Sequence, residues 1–213
     1  MDASTNIIDE IPSVLKAVLS SPPSKSDTAL TPAWVGVLGN AMLAYHAANA
    51  EACAAELESV WKTCWSFLES THPATRKAAS ESLNLLTQCF TPLLINPAIQ
   101  QDNATPIITN IISQTTKALD SIAFARSMPE LLFVISSLIA NLRYKVNNRK
   151  KNKANVATEA LFLPLIQTVG NLRTQKGFEH KEAADSTLAT AMRVLGPEVL
   201  LSALPLNLEP SDR

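Results

Sequence analysis

With 213 residues, 46% of them apolar and only five glycines, the chain can bury a large core but lacks the turn glycines of a hairpin-rich β fold. A formal charge of −1 and a pI near 6.3 exclude a surface that binds polyanions everywhere, so any such contact must be a local patch. Cys53, Cys64 and Cys89 are odd in number and share no CxxC spacing, which excludes a secreted disulfide framework and points to buried, reduced thiols in cytosol or nucleus.

Taken in chain order, Met1 to Ser20 carries Asp2, Asp9 and Glu10 where a signal peptide would be basic, so none is expected there. Ile7, Ile8, Ile11, Val14, Leu15, Val18 and Leu19 follow the three-and-four spacing of one buried helix face. Ser20 to Pro32, with three prolines, reads as a flexible connector. A second helix carries Trp34, Val35, Leu38, Met42 and Tyr45.

From Asn49, a good N-cap, the pattern becomes regular. Cys53, Leu57, Val60, Trp61, Cys64 and Leu68 line one helix face; His72–Pro73 starts a partner with Ala79, Leu83, Leu86 and Phe90 inside. A turn this short forces the two helices antiparallel. The uncharged stretch Ser82–Gln101 contains Asn84, Gln88, Pro92, Asn96 and Pro97, so no membrane span is expected there. Thr105–Pro106 opens a helix with Ile108, Ile111, Ile112, Leu119 and Ile122 inward. Ser127–Met128–Pro129–Glu130 reads as a capping box opening a helix that is apolar on a wide face, Leu131 to Leu142, as suits a middle helix. Leu161, Phe162, Leu165, Val169 and Leu172 mark the next helix, in which Pro164 is either a kink or the true first turn. Ala184, Leu188, Ala191, Met192 and Leu195 mark its partner, and Gly196–Pro197 ends that helix and begins a short last one.

Arg76-Lys-Ala-Ala-Ser-Glu-Ser-Leu83 echoes Lys181-Glu-Ala-Ala-Asp-Ser-Thr-Leu188 at an offset of 105 residues, or two units of about 50. The fold class that follows is all-α, a HEAT/armadillo-like α-solenoid of antiparallel helix pairs, with a one-off helical bundle as the alternative. Residues 1–48 read as N-terminal helices with a Pro/Ser linker at 20–32, and residues 49–210 as HEAT-like repeats that are part of a longer array. The expectation for Asn49 to Leu204 is three stacked pairs with no sheet, and an uncovered apolar end around Val199, Leu200 and Leu204.

Catalytic and metal chemistry leave no signature. His46, His72 and His180 lie in three different helical units, none with a His or Cys three or four residues away, and there is no GK[ST] loop and no GxSxG elbow. No catalytic residue, metal ligand or cofactor is expected, and the chain reads as a binding scaffold, not an enzyme. Lys145, Arg149, Lys150, Lys151 and Lys153 place five cations within nine residues between two helices. They are the candidate contact to phosphate, RNA or a partner, against the plainer reading of a solvated connector. Arg76 near a helix start, and the Gly196–Pro197 turn, read as structural.

Phe178-Glu-His-Lys-Glu-Ala-Ala-Asp-Ser-Thr-Leu188, Val194-Leu-Gly-Pro-Glu-Val-Leu200 and Leu204-Pro-Leu-Asn-Leu208 resemble the helical region of the ribosomal RNA-processing protein 12 family. Ser137-Leu-Ile-Ala-Asn-Leu-Arg-Tyr144 fits it more loosely. The resemblance spans roughly residues 130 to 210 and implies a segment of a longer nuclear and nucleolar HEAT-repeat protein. It further implies a role in pre-rRNA processing and in assembly and export of pre-ribosomal subunits. The implied partners are pre-ribosomal particle proteins, pre-rRNA and further repeats of the same chain, with shuttling to the cytoplasm and no membrane. A nuclear transport receptor, or a regulatory subunit of a phosphatase or kinase complex, is the alternative built on the same architecture.

Overall fold

The computed structural model of the chain describes residues 3–24, 26–100, 106–147 and 154–205. Among these residues lie ten α-helices: α1 (Ala3–Ser20), α2 (Leu30–Ala48), α3 (Ala50–Ser66), α4 (Pro73–Thr87), α5 (Pro92–Gln100), α6 (Ile107–Leu119), α7 (Met128–Asn141), α8 (Ala157–Thr174), α9 (Lys181–Leu195) and α10 (Pro197–Ala203). A two-stranded ribbon, β1 (Lys145–Asn147) and β2 (Ala154–Val156), separates α7 from α8, and a 3-10 turn, Ile122–Ser127, precedes α7.

Local signals set most of these boundaries. The Asn49 side chain accepts the Ala52 N–H at 3.0 Å at the start of α3. Pro73 and Pro197 occupy first turns, where a missing N–H costs nothing. Asp27 Oδ1 accepts from the N–H groups of Ala29 and Leu30 and so begins α2, with Pro32 inside its first turn. Gly196, at φ 84°, closes α9 by donating to the Met192 carbonyl at 3.0 Å, a backbone angle that favours glycine.

The helices pair as α3–α4, α6–α7 and α8–α9, and their second members form one layer with α2 in the order α2, α4, α7, α9. Side-chain hydrogen bonds keep one offset within each neighbouring pair of this layer, 47 residues from α2 to α4 and 54 or 55 beyond it, which makes the layer parallel. Ser82 Oγ donates to the Val35 carbonyl at 2.8 Å, 47 residues away. From α4 to α7 the offset is 54 for Asn141 Nδ2 to Thr87 Oγ1, 2.7 Å. From α7 to α9 it is 54 for Ser136 Oγ to Thr190 Oγ1, 3.0 Å, and 55 for Thr187 Oγ1 to the Leu132 carbonyl, 3.1 Å. This is the stacked, repeated helix pair of an α-solenoid, as the sequence leads one to expect. Helix starts at 73 and 181 put the true two-unit spacing at 108, three residues more than the echo at 105. The two alanine-rich segments therefore present similar faces, just under one turn apart.

The core runs continuously through the stack. Trp61 stacks on Trp65 and meets Phe90 edge-on, and α7, buried through Leu131, Leu132, Val134, Ile135, Leu138 and Ile139, is wrapped by α4, α6, α8 and α9. All three cysteines are free and buried.

Several expectations are corrected. Val14 is 57% exposed, because α1 touches the stack along a narrow strip centred on Leu15. Ile122 is 94% exposed, because α6 stops at Leu119 and the chain turns into the 3-10 segment. The Ser127 capping box does not form: its hydroxyl donates back to the Phe124 carbonyl, and Glu130 turns to Arg76. The expectation of no sheet fails at the ribbon, where Lys145 pairs with Val156, Val146 with Asn155 and Asn147 with Ala154. The chain there leaves one helix and returns beside it, so the connection can fold back on itself. The apolar end is also better covered than expected. Leu200 is buried, and Leu204 packs so closely on Gly170 that a Cβ there would lie 2.5 Å from Leu204 Cδ2.

Candidate functional site

The basic segment begins on an anchored base. Leu142 ends α7, Arg143 is exposed, and Lys145 is the first residue of β1. Thr158 Oγ1 donates to the carbonyls of Ile139 and Leu142, and the Ala157 N–H donates to the Tyr144 carbonyl at 2.7 Å. The start of α8 is thereby tied to the end of α7. Tyr144 donates its hydroxyl to the Phe90 carbonyl at 2.7 Å, and burial pushes its pKa above the usual phenol value. A tyrosine held this way ties the base of the ribbon to the chain just past the end of α4. Of the five cations singled out in the sequence, Lys145 alone is described, and it is exposed. Arg149, Lys150, Lys151 and Lys153 lie outside the described residues.

Arg76 sits in the first turn of α4, where it ties together a turn and a neighbouring unit. Nη1 donates to the carbonyls of Ser70 and Thr71 at 3.0 and 3.2 Å, and Nε to Glu130 Oε1 at 3.3 Å. Both side chains are largely sequestered, 11% and 17% exposed, so water screens this pair less than the surface pairs Lys62–Glu58 and Lys77–Glu81. Glu130 Oε2 is buried without a hydrogen-bond partner. Beside it runs a groove of about 490 Å³ between α4 and α7, lined by Pro73, Ala74, Lys77, Glu81, Pro129 and the half-exposed Phe133. Gly196 and Pro197 lie 60 residues or more beyond this groove in sequence and serve the α9–α10 corner.

Tertiary packing also gathers residues that local spacing does not. A ring nitrogen of His46, at the end of α2, and the sulfurs of Cys53 on α3 and Cys89 just beyond α4 lie within 4.8 Å of one another. Their separations of seven and 36 residues fit no local motif, and only the parallel packing of α2 on α4 brings them together. His72 and His180 cap the starts of α4 and α9 and take no part.

The sequence profile of a family described as "Ribosomal RNA-processing protein 12, HEAT repeats" matches residues 69–213. Among curated proteins, the chain is 26% identical over 193 residues to a Schizosaccharomyces pombe protein provisionally named ribosomal RNA-processing protein 12. It is 24% identical over 204 residues to ribosomal RNA-processing protein 12 of Saccharomyces cerevisiae. These alignments cover 90% and 92% of this chain but 15% and 16% of the relatives. The chain thus spans about one-sixth of the length of the curated proteins it matches.

Proposed function

Because the chain belongs to the ribosomal RNA-processing protein 12 HEAT-repeat family, we propose that it is a non-enzymatic scaffold segment acting in ribosome biogenesis. The observation that carries this reading is the family match, which covers α4 to the end of the stack. The architecture supports it: a repeat array offers long continuous faces for partners without any catalytic apparatus. The partners proposed are proteins of pre-ribosomal particles and pre-rRNA, together with further repeats of a longer chain. The location proposed is the nucleus and nucleolus, with shuttling to the cytoplasm during subunit export.

Within that role the basic segment is the proposed phosphate contact. Lys145 is exposed beside an anchored ribbon base, and the other four cations follow it in sequence. The lysines among them supply compact point charges that suit phosphate contact but not base reading. Affinity purification of the tagged full-length parent tests the whole reading. Pre-ribosomal proteins and precursor rRNA are the expected catch; transport cargoes, or phosphatase or kinase subunits, in their place would overturn it.

A further inference from the structure

We propose that His46, Cys53 and Cys89 form a zinc(II) site that joins α2, α3 and the end of α4. Three donor atoms of metal-binding type, one imidazole nitrogen and two sulfurs, lie within 4.8 Å of one another. In a tetrahedral zinc site with Zn–S near 2.3 Å the sulfurs stand about 3.8 Å apart, so the side chains need to draw in only slightly. Both cysteines are fully buried, while His46 is half-buried at the exposed α2–α3 turn and gives the ion an entry route.

Two further observations point to a ligand. Nδ1 of His46 is buried with no hydrogen-bond partner, an arrangement a buried ring nitrogen rarely tolerates. The Cys53 and Cys89 thiols both donate to the Met42 carbonyl oxygen, at 3.5 and 3.7 Å, so the two sulfurs converge on one point.

Charge selects among thiophilic cations. Two thiolates and a neutral imidazole around zinc(II) sum to zero, whereas copper(I) would leave a net negative charge in an apolar core. Binding releases both thiol protons to solvent, so affinity should rise with pH.

The test uses the intact chain, reduced and stripped of metal. Added cobalt(II), the spectroscopic stand-in for zinc, should give a sulfur-to-cobalt charge-transfer band that saturates at one equivalent and is displaced by zinc. Zinc should raise the melting temperature by mass action. His46→Asn and Cys53→Ser should each weaken binding by more than the roughly 10–100-fold that loss of an outer-shell partner costs. Cys64→Ser, which alters a cysteine outside the cluster, should leave the band unchanged. The wild-type measurement decides even if a variant misfolds. No band, a band that survives His46→Asn, or a Cys53–Cys89 disulfide formed in preference to the metal complex would each overturn the site.

Discussion

Two glycines of α2 differ in what a methyl group would meet. A Cβ on Gly39 would lie 2.8 Å from the Ser82 backbone Cα, so α2 and α4 pass too closely there for any side chain. Gly39→Ala should cost about 1–3 kcal/mol, the usual range for overpacking. At about 2–4 °C per kcal/mol for a chain of this size, the loss should be plain in a thermal melt. Gly36 has nothing within 4 Å of such a Cβ. Gly36→Ala should therefore stabilise by about 0.5–1 kcal/mol through helix propensity alone. Cys64 carries a pH prediction. Burial pushes its thiol from 9.0 up to about 12, so the folded state favours the protonated form. Its contribution is fully present below pH 9 and is lost as pH rises from 9 towards 12, by about 1.4 kcal/mol per pH unit. Denaturant melts across that range should show wild type losing stability faster than Cys64→Ala.

Among the elements, the contact of α4 with α7 through Arg76 and Glu130 is open to direct measurement. Arg76→Ala would strip the Ser70 and Thr71 carbonyls of a donor and leave Glu130 largely sequestered without its partner. A loss of about 1–3 kcal/mol is expected. Arg76→Ala with Glu130→Ala should cost less than the two single losses added, because the second change removes the stranded charge. Equal additive losses in a double-mutant cycle would show that the pair is not coupled. Helices of this stack were legible where proline, glycine or an amide punctuates the sequence: Asn49, Pro73 and Gly196 each sit at a boundary. Less legible were α5, which opens at Pro92 and contains Pro97, and the 3-10 turn, whose Ile122 fits the helical spacing yet faces solvent. The ribbon was hidden because its strands, Lys145–Asn147 and Ala154–Val156, are three residues each, too short for an alternating pattern to register. The His46, Cys53 and Cys89 grouping was invisible for another reason. It depends on which helices become neighbours, and periodicity within a helix carries no such information.

For the whole molecule, the proposed contact with RNA should be weak and salt-sensitive, with an affinity of roughly 10⁻⁴–10⁻⁶ M, since the chain's net charge of −1 supplies no general attraction. Replacing Arg149, Lys150 and Lys151 together by glutamine should flatten the salt dependence by about 0.7 per lost contact to single-stranded RNA. Far-ultraviolet circular dichroism should be unchanged. A triple variant that binds RNA with the same affinity and slope would return the segment to the role of a solvated connector.

The bonds between successive units have an asymmetry with a consequence for evolution. Ser82 donates to the carbonyl of Val35, Tyr144 to that of Phe90 and Thr187 to that of Leu132. In each, one partner is main chain, present whatever residue occupies the position. Val35, Phe90 and Leu132 can therefore drift among core-compatible side chains without disturbing the bond, and their donors need no matching change. Coupled substitution between neighbouring units should gather instead at Arg76 with Glu130, Asn141 with Thr87 and Ser136 with Thr190, where both partners are side chains. Adjacent repeats of such an array can diverge widely while staying in register, and the record of their contact is confined to a few pairs.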